Sequence, residues 1–190
     1  MTRATSWSGV WVATIGHSTR SLEELVSLLR GVGVGVDVVA DVRTVPRSRH
    51  NPQFNVDSLP TALSSFGLGY AHVPRLGGLR RARPDSRNRA WRNDSFRGYA
   101  DHMLTDEFEA GLDELRALAE HGRTALMCAE AVPWRCHRSL IADVLTARGA
   151  DVVHIVGPSR PMAHAIRPFA RVQGGRVTYP GDDEAGVRLP

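Results

Sequence analysis

Hydrophobic positions in this chain alternate between short continuous runs and stretches with helical spacing. The first run, WVATI at 11–15, reads as a buried strand and ends in Gly16-His17-Ser18. Ser21 and Glu24 then form the Ser-x-x-Glu pattern of a capping box. Leu22, Leu25, Val26 and Leu29 follow with helical spacing, and Gly31 and Gly33 supply stop signals. A second apolar run, Val36 to Val42, is broken only by Asp37 and Asp41. Together these pieces predict a strand–helix–strand unit with a right-handed parallel crossover.

Further along, the pattern predicts a short helix over 57–66, a strand over 70–73 and one long helix over 95–121. Phe108, Leu112, Leu115 and Leu118/Ala119 form the core face of that long helix. A strand at 124–128, a helix at 135–148 stopped by Gly149, and a strand at 151–156 complete the series. The strands are near-continuous apolar runs, as expected when both faces of a sheet are covered. Alternating strands and helices predict an α/β fold: a three-layer, Rossmann-like sandwich with a mostly parallel sheet over residues 10–157. Beyond Gly157 prolines recur at 158, 161, 168 and 180, and residues 170–179 read as a hairpin turning on Gly174-Gly175. Residues 158–190 are therefore expected to form a Pro/Gly-rich C-terminal extension with a small hairpin, not a second core.

Composition narrows the class. With 190 residues, 42% hydrophobic and 23% charged, the chain fits one soluble globular domain with a short appendage. No apolar run approaches the ~20 residues of a membrane span. The N-terminus, MTRATSWSGVWVATIG, lacks the apolar core of a signal peptide, so a cytoplasmic location without membrane contact is expected. Two cysteines do not make a disulfide scaffold.

Net charge is +4, and all 24 basic residues are arginine. GC-rich codon usage would be enough to explain that choice, so the distribution carries the information. Residues 75–97 hold eight arginines against two aspartates. Such a stretch suits phosphates or nucleic acid, or is simply a solvated loop.

Chemistry-bearing residues fall where the predicted strands end: Gly16-His17-Ser18, Asp41 to Arg47, and Cys128 to Arg138. In open parallel sheets the ligand crevice lies outside those carboxyl ends, so the three clusters suggest one composite site. Asp41 and Arg43 are two apart and share a strand face, as an ion pair or as ligand-orienting groups. His17 reads equally as a satisfied loop histidine or a catalytic one.

The stretch CAEAVPWRCHR at 128–138 admits four readings. A cysteine followed by a loop and an arginine is similar in layout to the phosphate loops of tyrosine phosphatases and rhodanese-like proteins. However, six residues separate Cys128 from Arg135, one more than the phosphatase loop has, Pro133 removes an amide donor, and Glu130 would repel phosphate. A metal site could draw on Cys128, Glu130, Cys136 and His137. Against it, there is no Cys-x-x-Cys, and residues 136 and 137 would point ~100° apart on a helix. A third reading makes Glu130 an acid/base or orienting group beside arginines that hold an anion. In the fourth, both cysteines are small buried hydrophobes. Cys136 continues the row 140 and 144, and His137 the row 141 and 145, so helical geometry turns both toward the sheet.

Several ordered segments are similar to a bacterial family catalogued as domain of unknown function 488. They are TIGHSTR at 14–20, DVRTVPRSR at 41–49, NPQF at 51–54, LGG at 76–78, FRGYADHM at 96–103 and MCAEAVPWRCHRSLIA at 127–142. The resemblance covers nearly the whole chain and implies an α/β fold, but no settled activity.

The leading expectation is an enzyme acting on a phosphorylated ligand, a nucleotide or a nucleic acid, by hydrolytic or glycosidic cleavage. Glu130 and Asp41 are the candidate acid/base groups, with His17 assisting. Gly16, Ser18, Arg43, Arg47 and Arg138 are candidate ligand contacts, and Trp91, Arg97 and Tyr99 would clamp from the arginine-rich side. Cys128, Cys136 and His137 are cast in support, and no metal ligand or cofactor is assigned. The alternatives are a non-catalytic nucleic-acid-binding module and a metal-dependent enzyme using Cys, Glu and His ligands.

Overall fold

The capping box predicted at Ser21 forms. In the computed structural model, which describes residues 5–31 and 33–181, the Ser21 hydroxyl accepts from the Glu24 amide, and the Glu24 carboxylate accepts from the Ser21 amide at 2.7 Å. This starts helix α1, Leu22–Leu29, which follows strand β1, Trp11–Gly16, and buries Leu25, Val26 and Leu29. Next come β2 (Val38–Asp41), α2 (Leu59–Ser65) and β3 (Gly69–His72).

The predicted long helix is in fact two, α3 (Asp94–His102) and α4 (Asp106–His121). Thr105 causes the break. Its hydroxyl accepts from the Phe108 amide as N-cap of α4 and donates to the His102 carbonyl at the end of α3. Strand β4 (Thr124–Cys128) follows, then helix α5 (Arg138–Ala147) and strand β5 (Asp151–Ile155). α5 starts later than predicted because Pro133–Arg135 form a separate 3₁₀ turn that ends in an extended Cys136.

The sheet order is β3-β2-β4-β1-β5-β6, and the first five strands are parallel. β6 (Met162–Ala163), not foreseen from the sequence, adds an antiparallel edge on β5. β4 sits between β1 and β2, so the first crossover passes over one strand. Alternation along the strands sorts side chains to two faces. Ala13, Ile15, Val39, Ala125 and Met127 pack under α1 and α2 with Phe54, Leu59 and Leu63. Val12, Ala40, Leu126 and Cys128 pack under α3, α4 and α5 with Tyr99, Phe108, Leu112, Leu140 and Ile141. The result is the expected three-layer α/β sandwich.

The C-terminal hairpin pairs β7 (Arg171–Gln173) with β8 (Arg176–Thr178). Gly174 and Gly175, at φ 58° and 78°, make its tight turn. Val177 and Tyr179 are buried in the α3–α5 layer, so the extension adds to the main core. Among the described residues no helix is long and apolar enough to cross a membrane.

Candidate functional site

A cavity of about 540 Å³ opens at the carboxyl ends of β1 and β4. Its lining includes His17 and Ser18 after β1, Cys128 to Ala131 after β4, and Arg135 to His137 ahead of α5. Asn51, Gly78, Phe96 and Tyr99 close the remaining sides. Among the described residues, Glu130 is the only carboxylate in this lining.

Backbone pairing continues past the strands: the His17 amide donates to the Cys128 carbonyl and the Ser18 amide to the Ala129 carbonyl, both at 2.9 Å. Gly16 permits the Glu130 loop to lie directly on β1, since a Cβ there would sit 1.9 Å from the Glu130 carbonyl oxygen. From below, Arg138 donates to the carbonyls of Glu130 and Ala131. Clamped from both sides, the loop holds the Glu130 side chain at the pocket.

Cys128 and Cys136 sit on the pocket floor beside His137. His137 Nδ1 lies 3.9 Å from the Cys128 sulfur and 3.7 Å from the Cys136 sulfur. Its Nε2 is 3.1 Å from the Val42 carbonyl, which can only accept, so Nε2 carries a proton and Nδ1 is the nitrogen that faces the two sulfurs. The Cys136 thiol acts as hydrogen-bond donor to Cys128 and holds the Cys128 sulfur well below the ordinary thiol range. The Cys136 proton is correspondingly harder to remove, and burial adds to this. The first proton leaves the pair easily and the second with difficulty. The ~100° separation expected of residues 136 and 137 does not apply, because Cys136 is extended and lies outside the helix. Both still face inward, as the helical rows suggested, but loop geometry brings them there.

Asp41 and Arg43 form a buried bidentate pair, with Asp41 oxygens 2.8 Å from Nε and 2.5 Å from Nη2. Asp41 also accepts from the Arg43 amide and, at 2.8 Å, from the Tyr70 hydroxyl. Arg43 Nη1 reaches His17 Nε2 at 3.2 Å, and Nη2 donates to the Phe54 carbonyl. His17 Nδ1 donates to the Ser18 carbonyl, and its ring stacks on Phe54 with centroids 4.3 Å apart. Burial lowers the His17 pKa, so the ring is held neutral with both nitrogens engaged. The buried Asp41–Arg43 pair thus stands behind the pocket and braces His17, which lines it.

A family model described as "Domain of unknown function DUF488" matches residues 21–145. The chain belongs to this family. No match was found among curated proteins or among solved structures. The DUF488 match takes in Asp41, Arg43, the arginine-rich stretch and the whole of Cys128 to Arg138, and starts just after the pocket residues His17 and Ser18.

Within the DUF488 fold the sequence-predicted site residues part company. His17, Ser18, Tyr99, Cys128, Glu130, Cys136 and His137 meet at one pocket. Gly16 lies immediately beneath it. Asp41 and Arg43 stand behind, and Arg138 is fully buried with its guanidinium on loop carbonyls, so none of the three lines the cavity. Arg47 points away and pairs with Asp57 on the exposed surface. Trp91 is packed against Phe96, with ring centroids 4.7 Å apart, and lies outside the lining. Tyr99 contributes its ring, 4.8 Å from that of His137, while its hydroxyl donates to the Leu76 carbonyl.

Arg97 lines a second cleft of about 610 Å³ together with Arg80, Arg81, Arg83 and Arg89. Ser95 lines both cavities. Asn51, Ser95 and Arg135 were not named as site residues, although Asn51 falls in the NPQF motif at 51–54 and Arg135 in the Cys128 to Arg138 stretch; nothing in the spacing marks Ser95. Gly78 did carry a signal, the LGG motif at 76–78. A Cβ there would lie 2.9 Å from His137 Nδ1.

Proposed function

We propose that the protein is an enzyme acting on a phosphorylated ligand, a nucleotide or a nucleic-acid strand, bound across the two adjoining cavities. The observation that carries this reading is their junction at Ser95. On one side lies a pocket lined by a single carboxylate, two thiols and two imidazoles, His17 and His137. On the other lies a cleft with five arginines and one aspartate, Asp94. Arg81 and Arg89 make no ion pair among the described residues. Arg80, Arg83 and Arg97 pair with Glu107, Asp85 and Asp94, contacts that a phosphate can displace because exposed pairs contribute little.

Phosphate binding thus passes from Arg43, Arg47 and Arg138 to the arginines of the cleft. Glu130 keeps the acid/base role, and Phe96 offers an aromatic wall to a base. Hydrolytic or glycosidic cleavage suits a lone carboxylate that can activate water.

Fluorescence anisotropy with single-stranded oligonucleotides and labelled nucleotides tests the binding half. Log affinity should fall linearly with log salt, and Arg81→Ala with Arg89→Ala should flatten that slope by about two counterions. Failure to bind DNA, RNA or any nucleotide at low salt removes the phosphorylated ligand. Turnover of the bound ligand, lost in Glu130→Gln with binding kept, supports the enzyme. Binding without turnover by the unaltered protein assigns a non-catalytic nucleic-acid-binding module instead.

A further inference from the structure

Cys128 Sγ, Cys136 Sγ and His137 Nδ1 all lie within 4.8 Å of one another on the pocket floor. We propose that these three atoms form a zinc site whose fourth coordination position opens to the pocket.

Four observations converge on it. The first is distance. A tetrahedral zinc ion with its usual bond lengths holds a sulfur and a nitrogen ligand about 3.6 Å apart. The two sulfur–nitrogen separations here are 3.9 and 3.7 Å. Each of these two sulfur–nitrogen separations needs only a small contraction.

The second is the state of the imidazole. Val42 accepts from Nε2, which leaves Nδ1 as the nitrogen that faces the two sulfurs. Ligand histidines are held in this way, with the second nitrogen donating to a backbone carbonyl that sets the tautomer and ring orientation. Gly78 keeps the Nδ1 edge uncrowded, since any side chain there would press on that nitrogen.

The third is the rigidity of the ligand-bearing backbone. Cys128 ends β4, and its carbonyl accepts from the His17 amide. Cys136 is held extended, with its amide bonded to the Pro133 carbonyl. His137 N-caps α5 and packs against the Tyr99 ring. The sulfurs come from opposite ends of a clamped loop, which is why no short Cys-x-x-Cys announces them.

The fourth is charge and access. Two thiolates, a neutral imidazole and Zn²⁺ sum to zero, which suits a floor where Cys128 is 8% and Cys136 is 4% exposed. Thiolate and imidazole donors select zinc over magnesium or calcium, which prefer oxygen. All three residues line the cavity, so a water or a substrate atom can complete the tetrahedron. Three protein ligands with one open position is the arrangement of catalytic zinc rather than structural zinc. Occupancy of this site does not depend on the substrate being phosphorylated.

The test uses the full chain, made without a histidine tag and kept reduced. Zinc is titrated against a chromophoric chelator, and Co²⁺ serves as the spectroscopic probe. The expected result is about one zinc per chain. Cobalt should give thiolate-to-metal charge-transfer bands in the near ultraviolet and intense tetrahedral bands in the visible. Cys136→Ser should roughly halve the charge-transfer intensity and weaken zinc binding by at least about 100-fold, more than a supporting residue would. Should that variant misfold, the cobalt spectrum of the unaltered protein decides alone. The proposal is overturned by less than about 0.1 zinc per chain with both thiols reactive, or by weak octahedral cobalt spectra without charge transfer. It is also overturned if the reduced protein binds no metal and the two cysteines instead close readily into a disulfide.

Discussion

Arg138 shows how packing takes a charge away from the cavity it was expected to line. Its charge suggested an anion contact, but it is fully buried and donates to two loop carbonyls. Asp41 and Arg43 make the same point. Their two-residue spacing correctly placed them on one face, yet burial turns them into a strut for His17. Removing one partner of a buried pair strands the other charge. Asp41→Ala should therefore cost about 3–5 kcal/mol in urea unfolding, and a near-unchanged midpoint would refute the strut. Gly16→Ala forces a methyl against the Glu130 carbonyl, and about 1–3 kcal/mol of destabilisation is expected, with the Glu130 loop displaced. Glu130→Gln has no such structural duty and should leave stability within about 0.5 kcal/mol. Nothing in a one-dimensional pattern separates Glu130 from Arg138. Exposure decides, and exposure is a property of the folded chain.

At the scale of elements, most helices and strands were legible because their apolar periods are strong. The misreadings fell at boundaries governed by single polar groups. Residues 95–121 carry helical spacing throughout, but Thr105 stops one helix and starts another. The clue was present in Thr105 followed by Asp106, Glu107 and Glu109, an N-cap with an acidic first turn. Thr105→Ala should cost about 1 kcal/mol, measurable as a lower thermal midpoint, and a neutral result would mean the break is set by packing alone. Pro133 similarly nucleates a 3₁₀ turn that delays α5 and leaves Cys136 extended. That local delay is what brings Cys136 and His137 together with Cys128, a meeting that a continuous helix would have forbidden.

At the scale of the whole molecule, the C-terminal extension is tied to the core through Asp143. Asp143 accepts from Arg167, from the Tyr179 hydroxyl and from His164 Nε2. His164 Nδ1 in turn lies 2.8 Å from His154 Nε2, and the Thr14 hydroxyl lies 2.7 Å from His154 Nδ1. Burial, aided by the neighbouring His164, lowers the His154 pKa to about 4. The folded imidazole therefore refuses a proton that the unfolded one takes below about pH 6.5. Stability from this group is complete above that pH and falls as pH drops toward 4, by roughly 3 kcal/mol in all. His17 and His102, also lowered by burial, act in the same direction. Urea midpoints between pH 7 and 4 should show this slope, and His154→Asn should reduce it by about 1.4 kcal/mol per pH unit. An unchanged slope in the variant would exclude His154 as the source.

The sequence by itself determined the layers: apolar periods, the capping box, the Gly-Gly hairpin and the family motifs are local signals, and local signals survive in one dimension. Tertiary structure decided the strand order, the edge strand β6 and the split between pocket and strut, because each depends on contacts between distant segments. Asp41 and Glu130 are both carboxylates near strand ends. Only the hydrogen bonds of Arg43 and Tyr70 to one, and the open cavity beside the other, tell them apart. The same holds for the thiol–imidazole floor, whose three atoms converge because one strand end, one extended residue and one helix cap happen to meet in space.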